Sequence, residues 1–187
     1  MTEIEYVSVK LPPRVYDDIE KAVVKLFKEI KITKIPIDPF DIARRKGYVL
    51  RQYSTLPRDL QIELRERELE AVNYFDPDAK TFVICYDDAI QLLRVRFTLM
   101  HEIGHITLGH REESELAKKM ADYFAAYALA PSPLMGSYNC EDFMDAADTF
   151  DISQACADIC FQRFVNWVNY SGGLKLYENE LLSLFHK

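Results

Sequence analysis

The chain has 187 residues, of which 49% are hydrophobic and 12% aromatic, enough for a buried core. Its net charge of −7 disfavours the phosphate-driven, sequence-independent binding of nucleic acids. No apolar run is long enough to span a membrane, and residues 1–10 lack the apolar segment of a secretion signal. We therefore expect one cytoplasmic domain over residues 1–187, with no direct nucleic-acid partner and no membrane partner.

The first half of the chain predicts two helices and a strand. Apolar residues at positions i, i+3, i+4 and i+7 predict a helix over residues 14–30 with one buried face. A short helix over residues 39–46 is expected to end at Gly47, a residue typical of helix C-caps. Alternation over residues 48–53 indicates a strand. The densely charged residues 58–70 predict an exposed helix or loop.

The second half predicts two more strands and then a run of helices. Residues 70–75 and 80–86 have strand composition and flank a turn sequence at 76–79. Helices are expected over residues 90–108, 114–130, 139–148 and 153–170, the last capped by Ser153, before a short amphipathic tail. The predicted fold class is α+β: mostly helical, with a small antiparallel sheet of about three strands.

The four cysteines of the chain are sparse. Cys156 and Cys160 are four residues apart and do not form a CxxC motif, and Cys85 and Cys140 are isolated. Without a secretion signal, this distribution predicts buried free thiols in a reducing compartment and no disulfide framework.

The strongest chemical signal is an H-E-x-x-H motif at residues 101–105. On a helix, His101 and His105 lie one turn apart on the same face and can reach one metal ion. The adjacent Glu102 can then accept a proton from a water molecule in the site. The helix is apolar on both flanks of the motif, where a polar pair without a ligand would be costly. We therefore expect Zn²⁺ bound by His101 and His105, with Glu102 as general base.

A zinc hydrolase normally has a third protein ligand, which the motif does not supply. His110 follows His105 by five residues instead of the six found in H-E-x-x-H-x-x-G-x-x-H, and Gly109 is displaced from the glycine of that pattern. His110 is therefore not the first choice. An acidic residue on the following helix is the other route.

Two segments of the chain resemble the ImmA/IrrE family of metallopeptidases. Residues 94–110 are similar to the family's R-x-R-F-T-x-x-H-E-x-G-H block. Residues 120–131 are similar to the end of its E-x-E-A-(N/D)-x-F-A-x-x-L-x-x-P block. Further similarity at residues 35–47 and 150–156 extends the resemblance over about residues 14–170. It implies a zincin-like domain that acts as a zinc endopeptidase.

The chain departs from the family pattern at the position of the third ligand. The glutamate that the resemblance implies there is Lys118, and the second acidic position is Met120. Asp122 is the first substitute and Glu115 the second, because Glu115, Lys118 and Asp122 share one helix face. The family pattern also gives the Asp122 position a role in supporting a ligand. A two-histidine site, His110 as ligand and a metal-free site remain the alternatives.

Four further residues near the motif have two interpretations each. We expect Arg94 and Arg96 to pair with acids near residues 87–88 or 112–113, the alternative being that they bind the backbone of a substrate. We expect Tyr123 and Tyr127, one helical turn apart, to pack in the core, the alternative being an oxyanion contact near the metal.

The resemblance also implies a substrate class: helix-turn-helix transcriptional repressors of mobile elements, whose cleavage relieves repression. A second hypothesis is a regulatory binding module of the same fold that has lost its metal site, and Lys118 is its main support. A plain helical scaffold with an accidental H-E-x-x-H motif is the third.

Overall fold

The computed structural model describes residues 11–112 and 114–185, so the expectation for residues 1–10 lies outside the described residues. In chain order the elements are α1 (Pro13–Ile30), α2 (Pro39–Lys46), β1 (Val49–Gln52), α3 (Arg58–Glu66), β2 (Ala71–Asp76), β3 (Thr81–Tyr86), α4 (Leu92–Leu108), α5 (Glu115–Leu129), α6 (Ser132–Ser137), α7 (Phe143–Phe150), α8 (Gln154–Tyr170) and α9 (Leu176–Phe185). The fold is α+β, mostly helical with a small three-stranded sheet, as predicted.

The sheet is mixed and has the strand order β1-β3-β2. The predicted hairpin is confirmed: β2 runs antiparallel to β3, with Asn73 opposite Ile84. The expectation of an all-antiparallel sheet is wrong for β1, which pairs parallel to β3 and places Leu50 beside Ile84. The chain reaches the far edge of the sheet through α3 before the hairpin returns β3 to the centre. Strand alternation does not encode that crossover, because it reports burial and not direction.

Helix α4 lies at the centre of the molecule and is buried along most of its length. Leu99, Met100 and Ile103 of this helix are fully buried in the main hydrophobic cluster. Helix α5 packs closely against α4: a Cβ atom added at Gly104 would lie 2.9 Å from Cδ1 of Phe124. The absence of a side chain at Gly104 therefore sets how closely the two helices approach.

Most predicted helices are confirmed to within two residues at each end, including the Gly47 and Ser153 caps. The helix predicted over residues 139–148 instead spans Phe143–Phe150, because the Asp142 carboxylate accepts hydrogen bonds from two backbone N–H groups and fixes the start. Helix α6 was not predicted. Pro133 is in its first turn, where proline is tolerated.

All four cysteines are buried free thiols, as expected. Among the described residues, no helix combines the length and the apolar character needed to cross a membrane.

Candidate metal and catalytic site

The H-E-x-x-H residues lie in an open cleft of about 720 Å³ on one side of α4. Residues 68–73, which lead into and begin β2, form one wall, and α5 contributes Lys118 and Asp122 to another. Residues 110–112, which follow α4, also line the cleft. A short edge strand and two helices thus surround the motif.

The two motif histidines face one another across the helix turn. Nε2 of His105 lies 3.0 Å from Nε2 of His101. Each ring also has a partner at its other nitrogen: Nδ1 of His101 lies 2.8 Å from Oδ1 of Asp122, and Nδ1 of His105 lies 3.0 Å from Nδ1 of His110. Four side chains therefore contact one another in series, in the order Asp122, His101, His105 and His110.

This series of contacts fits a divalent metal ion bound by two imidazoles. If each motif histidine carries its proton on Nδ1, the Asp122 carboxylate accepts one N–H and the His110 ring accepts the other. Both Nε2 lone pairs then converge on the same side of α4. Ligand histidines in metalloproteins usually donate the second ring N–H to an acceptor in this way. Neutral imidazole nitrogens at helical spacing i, i+4 suit Zn²⁺.

Burial keeps His105 in the neutral form that a metal ligand requires. Burial, together with smaller contributions from the neighbouring rings of His101 and His110, lowers the pKa of His105 to about 4. The pKa of His110 is also lowered, chiefly by burial. At neutral pH each of these two rings therefore has one N–H donor and one acceptor nitrogen.

Glu102 is buried beside the histidine pair, with 8% of its surface exposed. Nδ2 of Asn73 donates a hydrogen bond of 2.6 Å to its Oε2 atom. Asn73 belongs to the edge strand β2 and was not identified from the sequence. The sequence does contain one indication of this role. Asparagine is unfavourable inside a strand, so an asparagine at the centre of β2 indicates a role other than strand formation.

The candidates for a third ligand have different positions. Asp122 contacts His101 at Nδ1, so its carboxylate would have to leave that contact to reach the Nε2 side, and its role as ligand stays a prediction. Glu115 is exposed on the first turn of α5 and is not brought into the cleft. Lys118 does line the cleft, and its positive charge contributes to the lowered pKa of His105.

The two arginines before the motif have structural partners, but not the predicted ones. Arg94 donates from Nε to Oε2 of Glu70 at 2.6 Å while lining the cleft. Arg96 is buried and donates to the carbonyl oxygens of Ile37 and Asp151 at 2.9 and 3.1 Å. The predicted partners near residues 87–88 are wrong, because Asp87 pairs with Arg65 and Asp88 accepts a hydrogen bond from the backbone N–H of Ser54. Residue 113 lies outside the described residues.

The two tyrosines of α5 pack in the core, as expected. Tyr127 is buried, and Tyr123 donates its hydroxyl to Oε1 of Glu20 on α1. Neither residue lines the cleft. The alternative oxyanion contact is therefore not part of this arrangement.

Within residues 11–112 and 114–185, no group of three or more His, Cys, Asp and Glu side chains is arranged to hold a metal ion. The cleft therefore offers two converging nitrogen donors and not a completed three-residue set. Comparison of the chain with protein-family models gave no match, and comparison with curated proteins gave none either.

Proposed function

We propose that the chain is a zinc-dependent endopeptidase. The observation that carries the proposal is the pair of facing Nε2 atoms of His101 and His105, 3.0 Å apart, with the Glu102 carboxylate beside them in an open cleft. A metal ion and a carboxylate base in one cleft are the two components of metal-assisted hydrolysis. The resemblance of residues 94–110 and 120–131 to ImmA/IrrE peptidases supports the same reaction.

Each residue of the site has a separate role in the proposed reaction. His101 and His105 would hold the ion, which when bound supplies Lewis-acid polarisation of a carbonyl and a lower pKa for water. Glu102 accepts a proton from the attacking water as the water oxygen bonds to the carbonyl carbon of the substrate. The same carboxyl group passes that proton to the amine as the C–N bond breaks. Asn73 orients Glu102 through its hydrogen bond.

The edge of the sheet supports an extended peptide as substrate. Strand β2 is at one edge in the order β1-β3-β2, and its residues 71–73 line the cleft. The backbone N–H and C=O groups of an edge strand can pair with an added strand, which gives affinity for peptide backbone without regard to sequence. A bound peptide would then run past Glu102 and the histidine pair.

The proposed substrate class is a helix-turn-helix transcriptional repressor of a mobile element, and the proposed location is the cytoplasm. The substrate class rests on the resemblance to ImmA/IrrE peptidases, and the location rests on the four buried free thiols, which suit a reducing compartment. The net charge of −7 suits a protein partner better than DNA. Cleavage of such a repressor would relieve repression without any contact between this chain and nucleic acid.

The test of the proposed reaction is Glu102→Gln. We expect this variant to keep the zinc content of the parent but to lose cleavage by about 100-fold or more, because an amide cannot accept the proton. The substrates are unfolded casein and the helix-turn-helix repressor encoded nearest to this chain, with products identified by mass spectrometry. Glu66→Gln makes the same charge change on α3, outside the cleft, and should leave cleavage unchanged. Equal cleavage by Glu102→Gln and the parent would contradict the role of Glu102.

A second candidate function is a non-catalytic module that binds a repressor or regulator stoichiometrically. It is favoured by Lys118 in the cleft, since an ammonium group repels a metal ion. The two candidates differ in metal content: a binding module purified without chelator should contain no zinc and should cleave neither substrate.

A further inference from the structure

The end of α4 brings a third histidine back towards the motif. Gly109 has a positive φ of 72°, a conformation that glycine adopts without strain. This bend lets the backbone N–H of His110 donate to the carbonyl oxygen of His105 at 3.1 Å, and that of Gly109 donate to Ile106 at 3.2 Å. Gly109 does not fit the H-E-x-x-H-x-x-G-x-x-H ligand pattern. The bend at this glycine instead places His110 beside His105.

The side chains of His105 and His110 meet edge to face. Their ring centroids are 5.0 Å apart with an interplanar angle of 74°, and the two Nδ1 atoms are 3.0 Å apart. His110 thus contacts His105 at Nδ1, whereas His101 contacts the same ring at Nε2. Because these nitrogens point to opposite sides of the imidazole, His110 is not directed at an ion held between the two Nε2 atoms.

We propose that His110 is a positioning residue that strengthens metal binding by His105 without binding the metal itself. Its Nδ1 atom accepts the N–H of His105 Nδ1, which fixes the tautomer whose Nε2 lone pair faces His101. The Asp122 carboxylate does the same for His101 at 2.8 Å. The inference rests on the proposed function, because it assumes that the histidine pair binds zinc.

Three substitutions distinguish a hydrogen bond from His105 to His110 from two other roles of His110, packing of its ring and direct binding of the metal. His110→Ala removes the acceptor, and His110→Phe removes it while keeping a ring against His105. His110→Gln keeps an acceptor, since its amide oxygen can take the N–H of His105. Zinc affinity is measured for each variant by competition with a chromophoric chelator. Circular dichroism and thermal unfolding of each zinc-free variant establish that the fold is retained.

We expect His110→Ala and His110→Phe to lower zinc affinity by about 10- to 100-fold, the usual cost of losing an acceptor behind a ligand histidine. His110→Gln should stay within about threefold of the parent. Co²⁺ substitution gives a second measurement, because its visible spectrum responds to the ligand set. The Co²⁺ spectrum of His110→Gln should match that of the parent.

Two results would overturn the inference while leaving the proposed metal site intact. One is parent-like zinc affinity in both His110→Ala and His110→Phe, which would show that the contact contributes nothing. The other is a changed Co²⁺ spectrum in His110→Gln together with weak zinc binding, which would make His110 a ligand. A parent protein that binds no zinc would overturn the inference and the proposed function together.

Discussion

Lys118 is the residue that most clearly separates this cleft from a complete zinc site. It lines the cleft on α5, and its charge helps to lower the pKa of His105. A positive charge beside a bound cation weakens binding through repulsion, and lysine supplies no oxygen donor. The position is therefore where a single substitution should have the largest favourable effect on metal affinity.

We predict that Lys118→Glu tightens zinc binding by at least about tenfold, which corresponds to roughly 1.4 kcal/mol. The substitution replaces a repelling ammonium with an anionic oxygen donor and completes a two-histidine, one-carboxylate set. Lys119→Glu is the matched control, because it makes the same charge change at the next residue, which does not line the cleft. Zinc titration of both variants is the measurement. Equal affinities in the two variants would mean that Lys118 does not lie beside the metal.

The site residues that could be predicted from the sequence are those placed by helical periodicity alone. His101, Glu102 and His105 belong to one helix turn, so their common position in the cleft follows from their spacing. The partner of Asn73 could not be predicted, because its contact with Glu102 joins residues 29 positions apart on different elements. The position of His110 depends on the helix C-cap at Gly109. The spacing of five residues between His105 and His110 shows only that the chain does not match the three-histidine ligand pattern.

At the scale of elements, the site depends on how closely α4 and α5 approach. Histidines come from α4 and Asp122 from α5, so the 2.8 Å contact between His101 and Asp122 requires a fixed separation of the two helices. Gly104 lies against the fully buried ring of Phe124, where there is no room for a methyl group. A rigid buried ring cannot move aside as the end of a flexible side chain can.

We predict that Gly104→Ala destabilises the protein by about 1–3 kcal/mol, because the added Cβ overpacks the α4–α5 contact. Gly136→Ala is the matched control: the nearest atom to its added Cβ is 3.5 Å away, an ordinary contact. That variant should be neutral or more stable by up to about 1 kcal/mol, since alanine favours a helix. Urea unfolding measures both. Similar stability changes in the two variants would contradict this account of the packing.

The elements themselves were largely predictable, but their arrangement was not. Periodicity and caps placed α1, α2 and α8, because those signals are local in the chain. The direction of β1 could not be predicted from local signals. This strand is parallel to β3 because α3 carries the chain across the sheet. The position of α9 likewise depends on contacts with residues more than 150 positions away.

At the scale of the whole molecule, Glu20 joins the first, middle and last helices. On α1, its two carboxylate oxygens accept hydrogen bonds from Tyr123 of α5 and, at 2.7 Å, from Tyr177 of α9. Burial raises the pKa of Glu20 above its ordinary value, and this effect outweighs the opposing hydrogen bonds from the two tyrosines. The native protein therefore binds a proton at Glu20 more tightly than the unfolded chain does.

This raised pKa predicts a pH-dependent effect of Glu20→Gln. The stability contribution of Glu20 is present below its ordinary pKa of 4.5 and is lost as pH rises through the raised value. Glutamine does not titrate, so the variant should gain stability relative to the parent as pH rises through that window. The gain is about 1.4 kcal/mol for each unit by which the pKa is raised. Urea unfolding from pH 4 to pH 7 is the measurement.

Glu29→Gln is the control for that series, since Glu29 lies on the same helix but is exposed. Lys46 holds the pKa of Glu29 below its ordinary value, so this variant should not gain stability as pH rises. A difference between Glu20→Gln and the parent that stays constant from pH 4 to pH 7 would contradict the buried, proton-binding role of Glu20.

Metal content tests most directly whether the histidine pair of α4 holds a zinc ion. We predict about one zinc per chain in protein purified without chelator, because two converging imidazoles with supported tautomers bind Zn²⁺. His101→Ala should abolish that zinc while keeping the circular dichroism spectrum of the parent. Elemental analysis by mass spectrometry is the measurement. Sub-stoichiometric zinc in the parent even after reconstitution, or undiminished zinc in His101→Ala, would contradict the account.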